Sequence, residues 1–265
     1  MKRVHILLMG FHILVLGWFF VLFTTPRVPV LCFHRVSQKL ELDNYLSITP
    51  DEFSIALREI RNLGCVPHIP GETWKVFQCQ VLLSFDDSTE DHFSYVIPYL
   101  KENKWPSVFF VMGTSLQGMQ AGPDFDYHWF GSHAYQDRSL LDKVYKNSAV
   151  LSEELDKAEY EMKRLGMKTL PWFALPRGEY SAEMVEALSS RFEQIFSVDM
   201  DYMNPKNSGL QGRYMFDRTQ NLENMLFWIK KSMPQYRLDF LIPLFLLLIV
   251  DLILWIKLVV YRVSL

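Results

Sequence analysis

Short apolar runs alternate with helical patterns through the middle of this 265-residue chain, and this alternation limits the fold more than any other feature. Residues 30–33, 81–85 and 107–112 are continuous apolar runs of strand length. Strands that are apolar on both faces are typical of a parallel sheet covered by helices. The pattern predicts an α/β domain, either a (β/α) barrel or an open sheet. Further strands are predicted at residues 172–175, 195–198 and, late in the chain, 213–216.

Helices are predicted between these strands from capping signals and apolar spacing. Thr49 suits the cap position, Pro50 the first helical position, and Asp51 and Glu52 the first turn. Apolar residues then recur at helical spacing until Gly64, which suits a helix end. The other predicted helices cover residues 91–103, 152–165, 181–189 and 221–231.

Two long apolar runs lie near the ends of the chain, at residues 4–23 and about 240–260. Twenty helical residues rise about 30 Å, which matches the hydrocarbon core of a bilayer. Lys2 and Arg3 favour a cytoplasmic N-terminus, and no small-residue cleavage pattern follows the first run. An uncleaved anchor over residues 1–26 is therefore preferred to a signal peptide.

The second apolar run contains Asp251, which would cost about 2.5–3.5 kcal/mol at mid-membrane. A transmembrane helix at residues 238–262 is preferred, and an interfacial or protein-packed helix is the alternative. The sequence thus predicts a two-pass protein of the cell membrane, with a domain at residues 27–231 on the non-cytoplasmic (periplasmic or extracellular) side. Membrane lipid and partner membrane proteins are the expected contacts. A net charge of −3 without a basic block argues against nucleic acid.

The three cysteines, Cys32, Cys65 and Cys79, each lie in or beside an apolar, strand-like stretch. Their odd number prevents complete pairing within the chain, and their spacing is not that of a metal site. Buried free thiols are the preferred interpretation, and a disulfide between Cys65 and Cys79 is the alternative.

Two adjacent carboxylates, Asp86 and Asp87, follow the predicted strand at residues 81–85. Active sites of α/β barrels lie at the carboxyl ends of the strands. Neighbouring residues that leave a strand point in different directions, so one carboxylate could hold a metal while the other acts as a base. A turn or a capping pair is the structural alternative.

Two later stretches could contribute to the same site. His133 and Asp137 lie four residues apart in a predicted loop, and with Asp87 they could hold a divalent metal such as zinc. The Pro176-Arg177-Gly178 turn could offer backbone N–H groups to an oxyanion. A surface histidine and an ordinary strand-to-helix turn are the alternatives.

Taken in order, these stretches resemble the polysaccharide deacetylase family, also called the NodB homology or carbohydrate esterase 4 domain. Residues 29–36 (PVLCFHRV) look like the family's P-V-L-x-Y-H-R-V, and residues 84–88 (SFDDS) look like T-F-D-D-G. Residues 131–137 (GSHAYQD) look like G-S-H-T-x-x-H, and residues 173–180 (FALPRGEY) look like F-A-Y-P-Y-G-x-Y. The resemblance covers most of residues 28–200.

The resemblance implies a distorted (β/α) barrel, usually of seven strands, that removes N- or O-acetyl groups from polysaccharides. It implies a divalent metal, with zinc the first expectation, and a polysaccharide as substrate. Asp86 would be the general base, Asp87 and His133 metal ligands, and the backbone N–H of Arg177 an oxyanion donor. Asp137 would be the third ligand. The substrate contacts implied are Tyr135, Pro176 and His34.

Several positions depart from the family pattern. Asp137 stands where the family has a second metal-binding histidine, and Ser88 stands where it has glycine. Leu175 and Arg177 replace aromatic residues in the third motif. The family's late Leu-x-x-His motif is missing, which leaves the general acid without a clear candidate. His128 and His34 are the substitutes considered.

Two functions are therefore open at the level of sequence. One is a metal-dependent hydrolase that deacetylates a cell-envelope or exported polysaccharide. The other is a catalytically impaired domain that binds glycan or scaffolds a membrane polysaccharide assembly. Convergence of Asp87, His133 and Asp137 on one point would favour the enzyme, whereas an outward-facing Asp137 would favour the binding domain.

Overall fold

The computed structural model describes residues 25–38, 45–75, 78–120, 125–142, 145, 147–219 and 222–233, with isolated positions at 17, 249 and 252–253. The predicted membrane segments at residues 1–26 and 238–262 therefore lie almost wholly outside the described residues. Among the helices that are described, none has both the length and the apolar character needed to cross a bilayer.

The predicted parallel sheet forms the centre of the domain. Its strands are β1 (Val30–Phe33), β2 (Arg35–Val36), β3 (Ser47–Ile48), β4 (Val66–Pro67), β5 (Gln80–Phe85), β6 (Val108–Val111), β7 (Trp129–Ser132), β8 (Thr169–Ala174), β9 (Gln194–Phe196), β10 (Gly209–Gln211) and β11 (Tyr214–Met215). Within the described residues, one sheet runs in the order β10-β9-β8-β7-β6-β5-β1-β11, with β4 paired to β5, and β2 and β3 pair separately. Every strand pair is parallel. The sheet curls into a half-barrel, which is consistent with the expected (β/α) barrel.

Helices return the chain from the carboxyl end of one strand to the amino end of the next. They are α1 (Pro50–Asn62), α2 (Ile97–Glu102), α3 (Gly113–Leu116), α4 (Ser148–Arg164), α5 (Ala182–Ser189) and α6 (Leu222–Ser232), and a π-helical turn at His92–Val96 precedes α2. The predicted start of α1 is confirmed. Thr49 caps the backbone N–H of Glu52, and Glu52 in turn accepts from the Thr49 backbone N–H. Helix α4 begins four residues earlier than predicted because Asn147 provides the cap.

Strand β7 is the main element that the sequence pattern missed, since residues 131–137 were expected to form a loop. Gly131 interrupts the apolar pattern of this strand. A side chain there would come within 2.7 Å of the Phe110 ring and 2.9 Å of the Trp172 carbonyl oxygen. Glycine is therefore needed for close packing of the sheet at this point, and its low strand propensity conceals the strand.

The preference for free thiols is wrong for two of the three cysteines. Cys65 and Cys79 form a disulfide, whereas Cys32 is a buried free thiol. The disulfide ties the segment before β4 to the segment before β5, and 14 positions separate its two ends.

Replacing both Cys65 and Cys79 with serine is expected to lower the free energy of unfolding by about 3 kcal/mol. The reason is that the disulfide restricts a loop of about 15 residues in the unfolded chain. Urea titration of the oxidised chain would measure the loss, and the same titration with a reductant should reproduce it. A reductant that leaves the urea midpoint unchanged would show that the two thiols are not paired.

Candidate active site

The register in which β1 pairs with β5 brings the first group of site residues together. Phe33 is level with Phe85, and the Asp86 backbone N–H donates to the Phe33 carbonyl at 3.0 Å. His34 therefore leaves β1 beside Asp86. Because alternate residues of a strand share a face, Cys32 lies on the same side as His34. The described part of the chain contains one group of three candidate metal ligands, formed by Cys32, His34 and Asp86. Their donor atoms all lie within 4.8 Å of one another.

Asp86 forms a fully buried ion pair with Arg213, a residue the sequence did not single out. Arg213 Nη1 and Nη2 donate to the two carboxylate oxygens of Asp86 at 2.7 and 2.8 Å, and the two side chains are 0% and 3% exposed. Arg213 Nε donates to the Ser197 carbonyl at 3.1 Å. The guanidinium lies 5.4 Å from the Phe110 ring centroid and 5.9 Å from that of Phe196. Arg213 comes from the connection between β10 and β11, the two ends of the curled sheet.

The pair determines the charge of Asp86. Burial alone would raise the pKa of Asp86, but the charge and hydrogen bonds of Arg213, together with the nearby His133 and His34, outweigh it and hold that pKa well below its ordinary value. Burial likewise would lower the pKa of Arg213, and the charge of Asp86 raises it instead. Both groups are therefore charged at neutral pH.

His133 is oriented as a metal-binding histidine would be. Its Nδ1 donates to the Ala174 carbonyl at 2.8 Å, and its Nε2 lies 3.3 Å from Asp87 Oδ1. A carbonyl partner on one ring nitrogen fixes the tautomer and leaves the other nitrogen available. Burial lowers the pKa of His133, but Asp86 and Asp87 outweigh it, so the net shift is upward. The structure thus brings Asp87 and His133 together as predicted.

The backbone at Asp87 and Ser88 is left-handed, with φ of 74° and 54°. Each non-glycine residue in this conformation costs roughly 1–2 kcal/mol. Hydrogen bonds offset part of the cost, since Ser88 Oγ accepts from the Met112 backbone N–H and Ser115 donates to the Asp87 carbonyl. The family's glycine would take the conformation of Ser88 without this cost. This strained turn directs Asp87 toward His133.

In this structure Asp137 does not join Asp87 and His133, and its role as a metal ligand stays a prediction. Its side chain is 62% exposed, and Asp137 Oδ1 lies 3.4 Å from Arg177 Nε. Arg177 itself has left-handed backbone (φ 60°) in the 3₁₀ turn Pro176–Gly178. Because both side chains are solvent-exposed, this pair contributes only about 0–1 kcal/mol to the outward position of Asp137.

Of the two histidines considered as general acid, only His34 lies in the site. His128 is buried before the amino end of β7, where its ring nitrogens contact the Ser107 backbone N–H and the Ile97 carbonyl. His34 is 8% exposed, and its Nδ1 is buried without a hydrogen-bond partner. Burial lowers the pKa of His34, against the opposing charges of Asp86 and Asp87.

The remaining predicted contacts lie at the rim. Pro176 is buried in the turn that carries Arg177. Tyr135 packs against Gly113, where a side chain would meet its ring, and its hydroxyl contacts the Gln117 side chain at 2.5 Å. Lys157 Nζ lies 5.9 Å from the Tyr135 ring centroid. Tyr135 therefore borders a groove of about 720 Å³ along α4 and is not directed into the cluster around Asp86.

The donor chemistry decides which of these residues fit a metal. Asp87 and His133 offer a carboxylate oxygen and a correctly oriented imidazole nitrogen, which are ligands that zinc accepts. The cluster of Cys32, His34 and Asp86 fits less well. Both oxygens of Asp86 already accept from Arg213, and burial raises the pKa of the Cys32 thiol well above its ordinary value. A protonated thiol beside a guanidinium is a poor cation site.

The site thus combines two carboxylates and two histidines at the carboxyl end of a curled parallel sheet. Residues 78–191 match the family model described as polysaccharide deacetylase, which confirms the resemblance seen in the motifs. The matched segment contains Asp86, Asp87 and His133. His34 and Arg213 lie outside it.

Solved structures agree on the fold. The deacetylase PplD of Streptococcus pyogenes is 19% identical with a TM-score of 0.64, covering 78% of this chain and 99% of its own. IcaB of Ammonifex degensii is 20% identical with a TM-score of 0.61, covering 77% and 97%. A de-N-acetylase of Aggregatibacter actinomycetemcomitans is 16% identical with a TM-score of 0.61, covering 76% and 99%. The search of curated protein sequences returned no match.

Proposed function

We propose that the domain is a metal-dependent hydrolase that removes acetyl groups from a polysaccharide, with Asp86 as the general base. The observation that carries the proposal is the contact between His133 Nε2 and Asp87 Oδ1, beside the ion-paired Asp86. Buried charge of this density at strand ends is costly for a purely structural domain. It is expected where a reaction needs fixed charges.

Asp87 and His133 are the residues that would hold a divalent metal, with zinc the first candidate. The chemistry that such an ion supplies is Lewis-acid polarisation of the acetyl carbonyl. Asp137 could become a third ligand only by leaving Arg177 and turning inward. The carbonyl of Ala174 holds the His133 ring in place for this role.

The side chains of the chain itself perform the proton transfers in this proposal. Asp86 accepts a proton from the attacking water, and Arg213 holds its carboxylate in a fixed orientation. His34 is the candidate that returns a proton to the leaving nitrogen or oxygen, because it lies beside Asp86 at the end of β1. The backbone N–H of Arg177 remains the candidate for the oxyanion, since Pro176 has none and the Gly178 N–H donates to the Leu175 carbonyl at 2.9 Å.

The same ion pair favours a second function, a deacetylase-like domain that binds glycan without cleaving it. A carboxylate whose pKa is far below neutral is a weak base, and both of its oxygens are engaged by Arg213. Asp137 faces solvent, which is the position expected for an impaired metal site. The two functions differ in whether the metal-loaded chain releases acetate.

Replacing Asp87 with asparagine, or His133 with asparagine, is expected to weaken zinc or cobalt binding by more than about 100-fold. A loss of about 100-fold in metal affinity is the upper limit for substituting residues that only hold a metal ligand in place. Calorimetric titration of each metal into the full chain would measure affinity, and acetate release from acetylated oligosaccharides would measure activity. Near-ultraviolet circular dichroism would confirm that each variant is folded.

Asp137→Asn is the matched control for these substitutions. Unchanged metal affinity would assign Asp137 to the surface pair with Arg177, whereas a loss equal to that of Asp87→Asn would make it a ligand. A metal-loaded wild-type chain that binds acetylated oligosaccharide but releases no acetate would reject the deacetylase proposal in favour of the binding domain.

We further propose that the domain lies on the non-cytoplasmic side of the cell membrane, held by the two apolar runs. The Cys65–Cys79 disulfide supports this side, because disulfides persist in oxidising compartments and are rare in the cytosol. If the domain faces outward, a protease added to intact cells should cleave it. If the domain faces the periplasm, the protease should cleave it only after the outer envelope is opened. Protection until the cytoplasmic membrane is broken would place it inside.

A further inference from the structure

The amino ends of the strands form one face of the barrel, opposite the candidate active site. We define this amino-end face as the segments that precede the strands, together with the last turn of α6. Its segments are residues 25–29, 103–107, 125–128, 166–168, 190–193 and 204–208. Because every strand pair is parallel, these segments all lie at the end of the barrel remote from Asp86 and His133.

Both ends of the described domain lie on this face. Val28 forms an antiparallel bridge with Met203, and the Arg27 guanidinium lies 6.0 Å from the Tyr202 ring centroid. Tyr202 stacks on Trp228 with centroids 4.6 Å apart and donates its hydroxyl to the Trp228 carbonyl at 2.8 Å. A single aromatic residue therefore links the start of the domain to the end of α6.

The connections from this face to the apolar runs are short. Val28 lies five positions after Phe23, where the first run ends, and Phe240, where the second begins, lies seven positions after Met233. A fully extended chain spans at most about 3.6 Å per residue, which limits the two connections to about 18 and 25 Å. Both connections are short and both start from the same face. They would therefore hold that face toward the phase in which the two apolar runs lie.

The helices give this end of the barrel a basic rim. Helices α1, α2, α4 and α6 all end here, and their last turns carry Arg61, Lys101, Lys163, Arg164, Lys230 and Lys231. The first turns, at the opposite end, carry Asp51, Glu52, Glu183 and Glu223. The helix dipole favours each charge at its end. Acidic residues also lie at this end of the barrel, at Glu102, Asp126 and Glu193. Two of the basic residues are paired, Lys163 with Glu159 at 3.7 Å and Arg164 with Glu161 at 2.8 Å.

Phe227 adds an exposed aromatic ring beside this rim. It lies at the middle of α6, one turn before Lys231, is 57% exposed, and has Lys231 Nζ 4.5 Å from its ring centroid. An aromatic ring next to lysine is typical of a membrane interface, where the ring enters the headgroup region and the ammonium contacts lipid phosphate. The helix dipole accounts for Lys231 but does not account for an exposed Phe227.

We propose that the amino-end face lies on anionic lipid headgroups and that the barrel mouth opens away from the bilayer. β5 spans about 20 Å, so the site around Asp86 would stand about that far above the membrane surface. There it would be accessible to a polymer in the aqueous phase. This orientation rests on the predicted membrane runs and is independent of whether the domain is a deacetylase.

Fluorophores on single introduced cysteines would test the orientation. The full chain would be reconstituted in phosphatidylcholine vesicles that contain phosphatidylglycerol and a headgroup nitroxide lipid. The matched pair is Lys231→Cys and Glu223→Cys, both exposed and at opposite ends of α6. A second pair, Lys168→Cys and Glu183→Cys, places one label before β8 and one at the start of α5. Cys32 is buried and Cys65 is oxidised, so neither should react.

Nitroxide quenching is expected to be about twofold or more stronger at position 231 than at 223, since these positions are about 12 Å apart along the helix. Position 168 should likewise be quenched more than 183. Equal quenching within each pair, or the reverse order, would overturn the orientation. If the chain does not float with the vesicles, the proposed orientation is also overturned, because it assumes that the chain binds the membrane. Acetate release is not a readout here, so neither result depends on catalysis.

Discussion

Replacing Arg213 with methionine is expected to lower the free energy of unfolding by about 3–5 kcal/mol, because the substitution leaves the carboxylate of Asp86 buried without a partner. The pair is almost completely inaccessible to solvent, and Arg213 also donates to Ser197. Methionine keeps much of the side-chain volume, so the loss would report on charge more than on packing. Urea titration of the detergent-solubilised chain, followed by tryptophan fluorescence, would measure it.

Arg138→Met is the matched control for this substitution. Arg138 Nε lies 3.7 Å from Asp142 Oδ2, but their side chains are 50% and 52% exposed. Exposed pairs contribute about 0–1 kcal/mol, so the control should change stability by no more than that. Equal losses for the two variants would show that the Asp86–Arg213 pair is not buried as described.

The pair also predicts a direction for the dependence of stability on pH. The pKa of Asp86 is lower in the folded chain than in the unfolded chain, where an ordinary aspartate has a pKa of about 3.9. Asp86 therefore stabilises the fold above that value, and its contribution declines as the pH falls below it. In Arg213→Met, Asp86 should no longer stabilise the fold even at neutral pH, because its positively charged partner is gone.

Asp86→Asn is the second substitution with a large expected effect. If Asp86 is the general base, acetate release should fall by about 10²–10⁴-fold, because asparagine cannot accept the proton. The measurement is the rate of acetate release by the metal-loaded chain at fixed substrate. If the wild type is active and Asp86→Asn releases acetate at the same rate, Asp86 does not take part in the reaction.

The double variant Asp86→Asn/Arg213→Met separates catalysis from stability. Removing both charges leaves no unpaired ion in the core, so stability should recover relative to Arg213→Met alone. Acetate release should remain as low as in Asp86→Asn. A double variant that regains both stability and activity would show that the two residues act only as a structural pair.

Much of the local structure followed from short stretches of sequence. The capping box at Thr49 and Glu52 predicted the start of α1, and the apolar run at residues 81–85 predicted β5 with two carboxylates after it. These features depend on neighbours along the chain, so a single sequence contains the information needed. β7 was missed because Gly131 is required by contacts with other strands.

The cysteine pairing and the ligand set depended on contacts between distant residues. Cys65 and Cys79 each precede a strand, and only the pairing of β4 with β5 brings them together. Asp137 was assigned as a ligand by its position in a motif. Its side chain instead lies 3.4 Å from Arg177, 40 residues later in the chain, and motif spacing carries no information about that choice of partner.

The sequence alone determined the α/β class, the order of the motifs and the placement of Asp86 and Asp87 at a strand end. These depend on periodicity and on local capping, which are properties of consecutive residues. Only the tertiary structure decided that Arg213, 127 positions from Asp86, neutralises it inside the barrel. The same holds for the placement of His34 beside Asp86. Both result from the curl and register of the sheet, because electrostatic partners are selected by distance in space.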